Sequence, residues 1–346
     1  MTVPADGIDG KESHVSVNQR KKVILSGMRP TGKLHLGHLT GALENWVALQ
    51  GEYQNYHLIA DYHALTTNPD TSDILQNSLD MALDWLAAGI DPAQSPVFRQ
   101  SQVKQHTELH LILSMLITTA RLERNPTLKE QVRDLEMENI AYGHLGYPVL
   151  QAADILLYKG EVVPVGEDQL PHIEITRELA RRFNAQYPAE PLVFPEPEGK
   201  ITRFARLPGL DGRRMSKSIG NTIFLSDSPE EITKKMRTAV TDPQKVRKGD
   251  PGHPDICLVF AYHNKFNPGE VAEIRSGCES GALGCVDCKL RCAKRIADTV
   301  APMRARRSEL ETHIDRVHEI LRDGETRARA VAERTMDDVH RAMKMG

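Results

Sequence analysis

MRPTGKLHLGH, Met28 to His38, follows the apolar run VIL of Val23 to Leu25 with only Ser26 and Gly27 between. The stretch holds one Pro, two Gly and two His in eleven residues. Small residues at the mouth of a short buried strand permit a sharp turn and let backbone N–H groups approach an anion. A helix N-terminus follows, and its partial positive charge favours phosphate. His35 and His38, three apart, fall on one side of that turn. Phosphate contact, a plain structural turn and metal ligation all stay open here, although no nearby Cys or carboxylate completes a metal set.

Outward from this stretch, strand and helix patterns alternate. KKVILSG is a strand and HLTGALENWVALQ an amphipathic helix; NYHLIADYHAL is a second strand. TSDILQNSLDMALDWLAAGID is a strongly periodic helix with a Ser or Thr cap and a Gly stop, and PVFRQS is a third strand. Residues 104–160 read as mostly helical, EVVPVGEDQ as another strand end, HIEITRELARRFN as a helix and PEPEGK as an exposed turn. This alternation predicts the α/β class: a Rossmann-like, doubly wound parallel sheet flanked by helices. Ligands of such sheets bind at the carboxyl ends of the strands, beside the switch in strand order. From SDSPEEITKKMRTAV onward the pattern is almost wholly helical, with Ser228 as cap and Pro229 at the first helical position. The expected organisation is a flexible tail over 1–21 and a Rossmann-like domain over 22–222, with a helical insertion at about 75–150. A helical domain over 223–325 and a C-terminal helix over 326–346 follow.

The 346 residues carry 44 basic and 47 acidic side chains, a formal net charge of -3. That balance excludes no partner, because nucleic acid needs only a local basic face. No apolar run approaches the ~20 residues of a membrane span. The first 20 residues lack the apolar core of a secretion signal, so a cytoplasmic location is expected. All five cysteines lie between Cys257 and Cys292, which suits a thiolate metal site better than a disulfide framework.

A second element bears on the first. GLDGRRMSKSIGN, Gly209 to Asn221, is a Gly-flanked loop with Arg213, Arg214 and Lys217 interleaved with Ser216 and Ser218. Cations and hydroxyls on such a loop suit a polyphosphate whose transition state develops charge. Taken together, PTGKLHLGH and RMSKS resemble the HIGH and KMSKS motifs of class I aminoacyl-tRNA synthetases. The first has the PxxxxHxGH form of the tyrosine and tryptophan enzymes; in the second, Arg214 replaces the usual first Lys and keeps its charge. VPVGEDQLPHIEITRELARRF, YPVLQAADILLY and ADYHALT are similar to the tryptophan branch, and the likeness covers residues 22–346. No P-loop ending in GKS or GKT is present.

The resemblance implies activation of an amino acid by ATP, with Mg2+, followed by transfer to tRNA. Lys217, Arg214, His35 and His38 are its implied catalytic residues. Arg29, Pro30, Thr31, Gly37, Gly166, Glu167, Asp168, Leu207, Met215, Ser216 and Ser218 join His38, Arg214 and Lys217 around ATP. Tyr147, Gln151 and Asp154, spaced four and three apart, share one helix face, behind a Pro read as the first helical position. An indole offers one donor, for which a carboxylate in a dry pocket is a sensible partner. By resemblance Asp154 reads the indole nitrogen, Gln169, Tyr147 and Gln151 hold the amino-acid backbone, and His63 lines the site with Leu25, Gly27, Val163 and Val165. Many tryptophan enzymes carry Met where this chain has Gln151, and Y-x3-Q-x2-D also occurs in tyrosine enzymes. Those enzymes, however, usually place a Tyr on the first strand, where this chain has Leu25. An apolar wall suits indole and leaves a phenol hydroxyl short of a partner. L-Tryptophan and tRNA(Trp) are the expected substrates. The alternatives are a tyrosine enzyme, a nucleotidyltransferase sharing the HxGH turn, and a non-aminoacylating nucleic-acid-binding relative.

Cys257, Cys278, Cys285 and Cys288 follow C-x20-C-x6-C-x2-C, with Cys292 four further on. Four thiolates fit tetrahedral zinc or a 4Fe–4S cluster equally well. Resemblance to a subset of bacterial tryptophan enzymes points to the 4Fe–4S cluster on those four. Lys289, Arg291, Lys294 and Arg295 surround the last cysteines, and residues 285–346 hold 14 basic against 11 acidic residues. This is either a solvated helix face or a rest for the phosphates of the anticodon stem. A homodimer, paired through the helices of about 75–150, is implied by the family alone.

Overall fold

Five short parallel strands carry the molecule: β1 Val23–Met28, β2 Gln54–Ile59, β3 Val97–Arg99, β4 Val162–Val165 and β5 Glu198–Ile201, in the spatial order β3-β2-β1-β4-β5. This computed structural model describes residues 20–201, 207–217, 219–247 and 249–345. The chain steps outward from β1 to β2 to β3, then crosses back to lay β4 along the other side of β1. The strand order therefore reverses between β1 and β4, and the open crevice of a doubly wound sheet lies at the carboxyl ends of those two strands. MRPTGKLHLGH leaves β1 there, and GEDQ leaves β4 beside it.

Register explains which side chains line the crevice. Leu25 pairs with Tyr56 and Gly27 with Leu58, so alternation turns Leu25 and Gly27 to one face of the sheet. Val163 and Val165 share that face, and helix Tyr142–Leu157 packs on it through Val149, Ala152 and Ala153. The other face buries Leu36, Leu39, Trp46 and Trp85. Its core runs without a break into the C-terminal helical region through Leu210, Met215, Ile232, Ile296 and Val300.

Four expectations need correction. NYHLIADYHAL is strand only as far as Ile59, and Asp61–Leu65 is a short helix. PEPEGK is not an exposed turn: its last residues enter β5, with Val162 paired to Glu198 and Val165 to Ile201. This edge strand is half-exposed throughout, so it has no apolar alternation to betray it. Helix Ile74–Ala88 starts after Asp73 with no side-chain cap, because Ser72 instead donates its N–H to Asp70 at 2.9 Å in a local turn. Pro148 does not open its helix; it lies inside Tyr142–Leu157. Gly143, Gly146 and Pro148 hide that helix from propensity, and burial of nearly its whole surface overrides them.

Cys285–Thr312 and Ile314–Met343 are the longest helices among the described residues. The first lies along helix Ile74–Ala88; the second returns to the sheet, where Arg99 Nε meets Glu325 at 2.7 Å. No helix among the described residues is long and apolar enough to cross a membrane.

Candidate active site

Beyond β1 the backbone turns at Pro30 and reaches His35 in an extended conformation, which caps the short turn Leu36–His38. The capping is done by imidazoles. His35 Nδ1 accepts the Gly37 N–H and His38 Nδ1 accepts the His35 N–H, both at 3.2 Å. The rings lie 3.8 Å apart, centroid to centroid. Since each Nδ1 accepts, each Nε2 carries the proton and donates. Burial, with Lys217 adding to it, holds His35 down at about 4. Burial again, then His35, Lys217 and Arg214, hold His38 at about 3. At neutral pH the turn therefore presents two uncharged N–H donors. A π-helical turn, Leu39–Leu43, follows immediately.

The second loop closes onto this turn. Lys217 Nζ donates to the carbonyls of Thr31 and Gly32, each at 2.9 Å, and to Thr31 Oγ1 at 3.3 Å. Gly37 N also meets Met215 Sδ at 3.3 Å, and His35 bridges to Phe224. Two segments some 180 residues apart thus touch at the rim of the sheet. Burial lowers Lys217 to about 8, against the upward pull of Asp84 and Asp80. Arg214 is exposed on the same loop, within the electrostatic reach of Arg29 and His38. Leu207 and Met215 are buried beneath it. Ser218 lies outside the described residues.

Asn221 organises the loop. Its Oδ1 accepts the Ser216 N–H at 2.8 Å, and its Nδ2 donates to Asp211 at 2.7 Å and to the Arg214 carbonyl at 3.1 Å. Gly209 must be glycine here, because a Cβ would stand 2.3 Å from Asn221 Nδ2.

Across the crevice, Asp154 is buried at 3 % exposure. Its Oδ1 accepts from Gln100 Nε2 at 2.7 Å and pairs with His106 Nδ1 at 2.6 Å, while Oδ2 meets His63 Nε2 at 2.9 Å. Burial pushes this carboxyl up, but His106 and His63 outweigh it and hold the group at about 2. Among the described residues Oδ1 has two partners and Oδ2 one, which leaves an acceptor position on an oxygen ionised at neutral pH. Tyr147 is fixed in the same manner. Asn125 Nδ2 donates to His172 Nδ1 at 3.1 Å, so His172 Nε2 carries the proton it gives to Tyr147 Oη at 2.9 Å. The Tyr147 hydroxyl proton is left for another acceptor. Gln151 and Gln169 are half-buried at the edge, with Gln169 bonded to Asp168 at 3.1 Å. Gly166, Glu167 and Asp168 follow the end of β4, and the Asp168 carbonyl accepts from Thr127 Oγ1 at 2.8 Å.

Residues 17–301 match the family described as tRNA synthetases class I (W and Y). The chain belongs to that family. The tryptophan–tRNA ligase of Thermotoga maritima is 48% identical, over 93% of this chain and 99% of its own length. That of Aquifex aeolicus is 42% identical, over the same share of each chain. Among solved structures, tryptophanyl-tRNA synthetase from Campylobacter jejuni, complexed with ADP and tryptophan, superimposes with a TM-score of 0.84 at 33% identity, covering 93% of this chain and 99% of that one.

The remaining residues of interest in this class I synthetase lie in its C-terminal region. Cys257, Cys278, Cys285 and Cys288 are half-buried, and Cys292 is buried among Ala293 and Ile296 in the apolar core. Burial pushes the Cys288 thiol up to about 12, and Cys257, Cys278 and Cys285 push it the same way. Yet no three His, Cys, Asp or Glu side chains among the described residues are gathered closely enough to hold a metal ion. The ready-made four-thiolate set expected from the spacing is therefore not drawn together. Holding a metal there would require the thiols to give up their protons and close around it. The basic stretch is partly self-paired: Arg291 meets Glu273 at 2.7 Å, Arg295 meets Glu270, and Lys289 donates to the Arg237 carbonyl at 3.0 Å.

Of the groups that shape the site, Asn221, Gln100, His106, His172 and Asn125 were not indicated as site residues by the sequence. Asn221 closes the quoted loop and was within reach of a sequence argument. Asn125 carries a local cap signature before Pro126, accepting the Thr127 N–H at 2.9 Å, but its bond to His172 does not show in the sequence. Gln100, His106 and His172 have partners tens of residues away and leave no local signature.

Proposed function

We propose that the chain is a tryptophan–tRNA ligase. It uses ATP to convert L-tryptophan to tryptophanyl-adenylate and pyrophosphate, then transfers the tryptophanyl group to the 3′ end of tRNA(Trp). In the first step a carboxylate oxygen of tryptophan attacks the α-phosphorus; a new O–P bond forms and the bond to the pyrophosphate oxygen breaks. In the second, a terminal ribose hydroxyl of the tRNA attacks the activated carbonyl and AMP departs. Neither step needs a protein nucleophile, so positioning and charge stabilisation carry the rate. His35 and His38 give neutral Nε2–H donors to phosphate oxygens. Lys217, with Arg214, supplies cations where charge builds on the departing pyrophosphate, and Mg2+ bound with the nucleotide would neutralise part of its phosphate charge. Asp154 accepts the indole N–H, Tyr147 and Gln151 face the amino-acid backbone with Gln169, and Leu25, Gly27, Val163, Val165 and His63 wall the ring.

The observation that carries this reading is the contact of Lys217 with Thr31 and Gly32, which brings both signature loops together at the rim of the sheet. The test is tryptophan-dependent exchange of pyrophosphate into ATP. Exchange with tryptophan and none with tyrosine is expected; exchange with tyrosine, or with neither, refutes it.

Finer points belong to the same proposal. Cys257, Cys278, Cys285 and Cys288 would hold a 4Fe–4S cluster or zinc as a cross-link of the helical region, remote from the reacting atoms. Iron and sulfide in anaerobically purified protein are expected, and stoichiometric zinc decides for the alternative. The basic residues around Lys294 take tRNA phosphates, because exposed pairs such as Arg291–Glu273 are weak enough to exchange. Exposed Leu111, Met115, Leu135, Ile140 and Tyr142 support a homodimer formed through the expected insertion. The cytoplasm is the expected location.

A further inference from the structure

We propose that Arg307, on the long C-terminal helix, is a positioning residue for the nucleotide turn and acts through Asp84. The two side chains are almost fully buried, at 3 % and 2 % exposure, and form a direct ion pair between parts of the chain 223 residues apart. Asp84 uses its other oxygen, Oδ2, to accept the Leu34 N–H at 2.7 Å. Leu34 lies between the Thr31–Gly32 carbonyls that hold Lys217 and the His35 cap. A single carboxylate therefore joins Arg307 to the turn that meets ATP.

Arg307 is committed to this joint. Its Nη1 also donates to the Asp80 carbonyl at 3.1 Å, its Nη2 pairs with the Asp80 carboxylate, and its Nε meets Glu311 at 3.0 Å. Arg306 adds a bond from Nε to the Ala87 carbonyl at 2.7 Å. The groups facing the pair are thus Asp80, Glu311 and the turn itself, with Lys217 close enough for Asp84 and Asp80 to act on its charge. Stability alone does not account for the arrangement. Burying a charge pair costs several kcal/mol of desolvation per ion, and an apolar pair of similar volume is often as stable or more so. What an apolar pair cannot do is hold an acceptor at a fixed point under Leu34 N–H.

The lever is long. Arg307 is 22 residues beyond Cys285 on one helix, a rise of about 33 Å. The helix that begins at the cysteines therefore ends by setting the nucleotide turn. Displacement of that turn by an ångström is enough to cost about a hundredfold in a positioned reaction.

This inference rests on the ATP-activating reading above. The experiment measures steady-state pyrophosphate exchange and thermal midpoint for the unaltered chain, Arg307→Lys, Arg307→Met and the double variant Asp84→Asn with Arg307→Met. Arg307→Lys keeps the charge but loses the planar fork. It is expected to raise the ATP KM about tenfold, with the tryptophan KM within about twofold and the midpoint near that of the parent. The double variant removes both charges. It is expected to regain the midpoint lost by Arg307→Met while keeping the raised ATP KM. An unchanged ATP KM in Arg307→Lys, an equal rise in both KM values, or recovery of the ATP KM in the double variant overturns the proposal. If Arg307→Met fails to fold, Arg307→Lys decides alone. Absence of exchange in the unaltered chain overturns the functional reading and this one with it.

Discussion

Replacing Lys217 by Met removes the cation that the second loop brings to the phosphate opening, while keeping the length and apolar stem of the side chain. At rest Nζ is held by three oxygens, two carbonyls at 2.9 Å and the Thr31 hydroxyl at 3.3 Å. To act on pyrophosphate it must trade these for phosphate oxygens, so only the difference reaches the barrier. A preorganised donor aimed at developing charge is worth about 3–4 kcal/mol. Hydrogen bonds to a charged group are worth about 1.5–3 kcal/mol each when made in the protein. Losing some of the latter in the resting state trims the net effect, and a fall of about a hundredfold in kcat for pyrophosphate exchange is expected. The tryptophan KM should stay within about twofold, because no bond of Lys217 reaches the Asp154 network. Labelled pyrophosphate exchange at saturating tryptophan measures both quantities. A kcat within about threefold of the parent would refute the claim that this loop supplies the charge.

Asp154→Asn keeps the shape of the acid but replaces one acceptor oxygen with an NH2 donor, which must then face one of the donors Gln100, His106 or His63. It should raise the tryptophan KM about a hundredfold by the loss of a charged, buried hydrogen bond, leaving the ATP KM alone. Equal effects on both would show that Asp154 serves the fold rather than the indole. The pH dependence follows from Lys217: it is charged below about 8 and neutral above, so the ATP KM should be flat at lower pH and climb once pH passes that value. His35 and His38, held at about 4 and about 3, are neutral across that range, so they add no break near pH 6 to 7. Such a break, abolished by His38→Asn, would count against neutral donors. Gly209→Ala would drive a methyl into Asn221 and open the second loop, lowering exchange strongly while the thermal midpoint falls little. A variant with parental exchange would show that Asn221 does not set the loop.

How far the sequence speaks depends on whether the physics is local. The turn after β1 was legible because close approach of backbone to phosphate needs small residues at consecutive positions, and PTGKLHLGH supplies them. Tyr147, Gln151 and Asp154 were legible because helical spacing alone puts them on one face, even though Pro148 misplaced the start of the helix. The fifth strand was not, since Glu198 to Lys200 show no apolar alternation at a sheet edge. Nor were the groups that aim the site. His106 meets Asp154 across 48 residues, and Asp84 meets Leu34 across 50 and Arg307 across 223; such pairs exist only once the core has brought their helices together. Local rules pointed to the candidate substrate-facing residues, and tertiary packing determined what holds those groups in place.

The choice of imidazoles at 35 and 38 follows from charge. Arg29, Arg214 and Lys217 already place three cations around the opening, and the two rings stand 3.8 Å apart within it. Two like charges at about 4 Å repel by about 4 kcal/mol at an effective dielectric near 20, so a pair of lysines there would disfavour the turn before any nucleotide arrived. Neutral imidazoles, each with Nδ1 tied to a backbone N–H, offer two phosphate donors without that repulsion. The cation is kept on the other loop, where Thr31 and Gly32 carbonyls hold it and Asp80 and Asp84 favour its charge. On the proposed reading, a triphosphate bound here would meet fixed neutral donors on one side and the Lys217 charge on the other. Moving the cation to the fixed side, as His38→Lys with Lys217→Met would do, should therefore bind ATP yet fail to restore exchange.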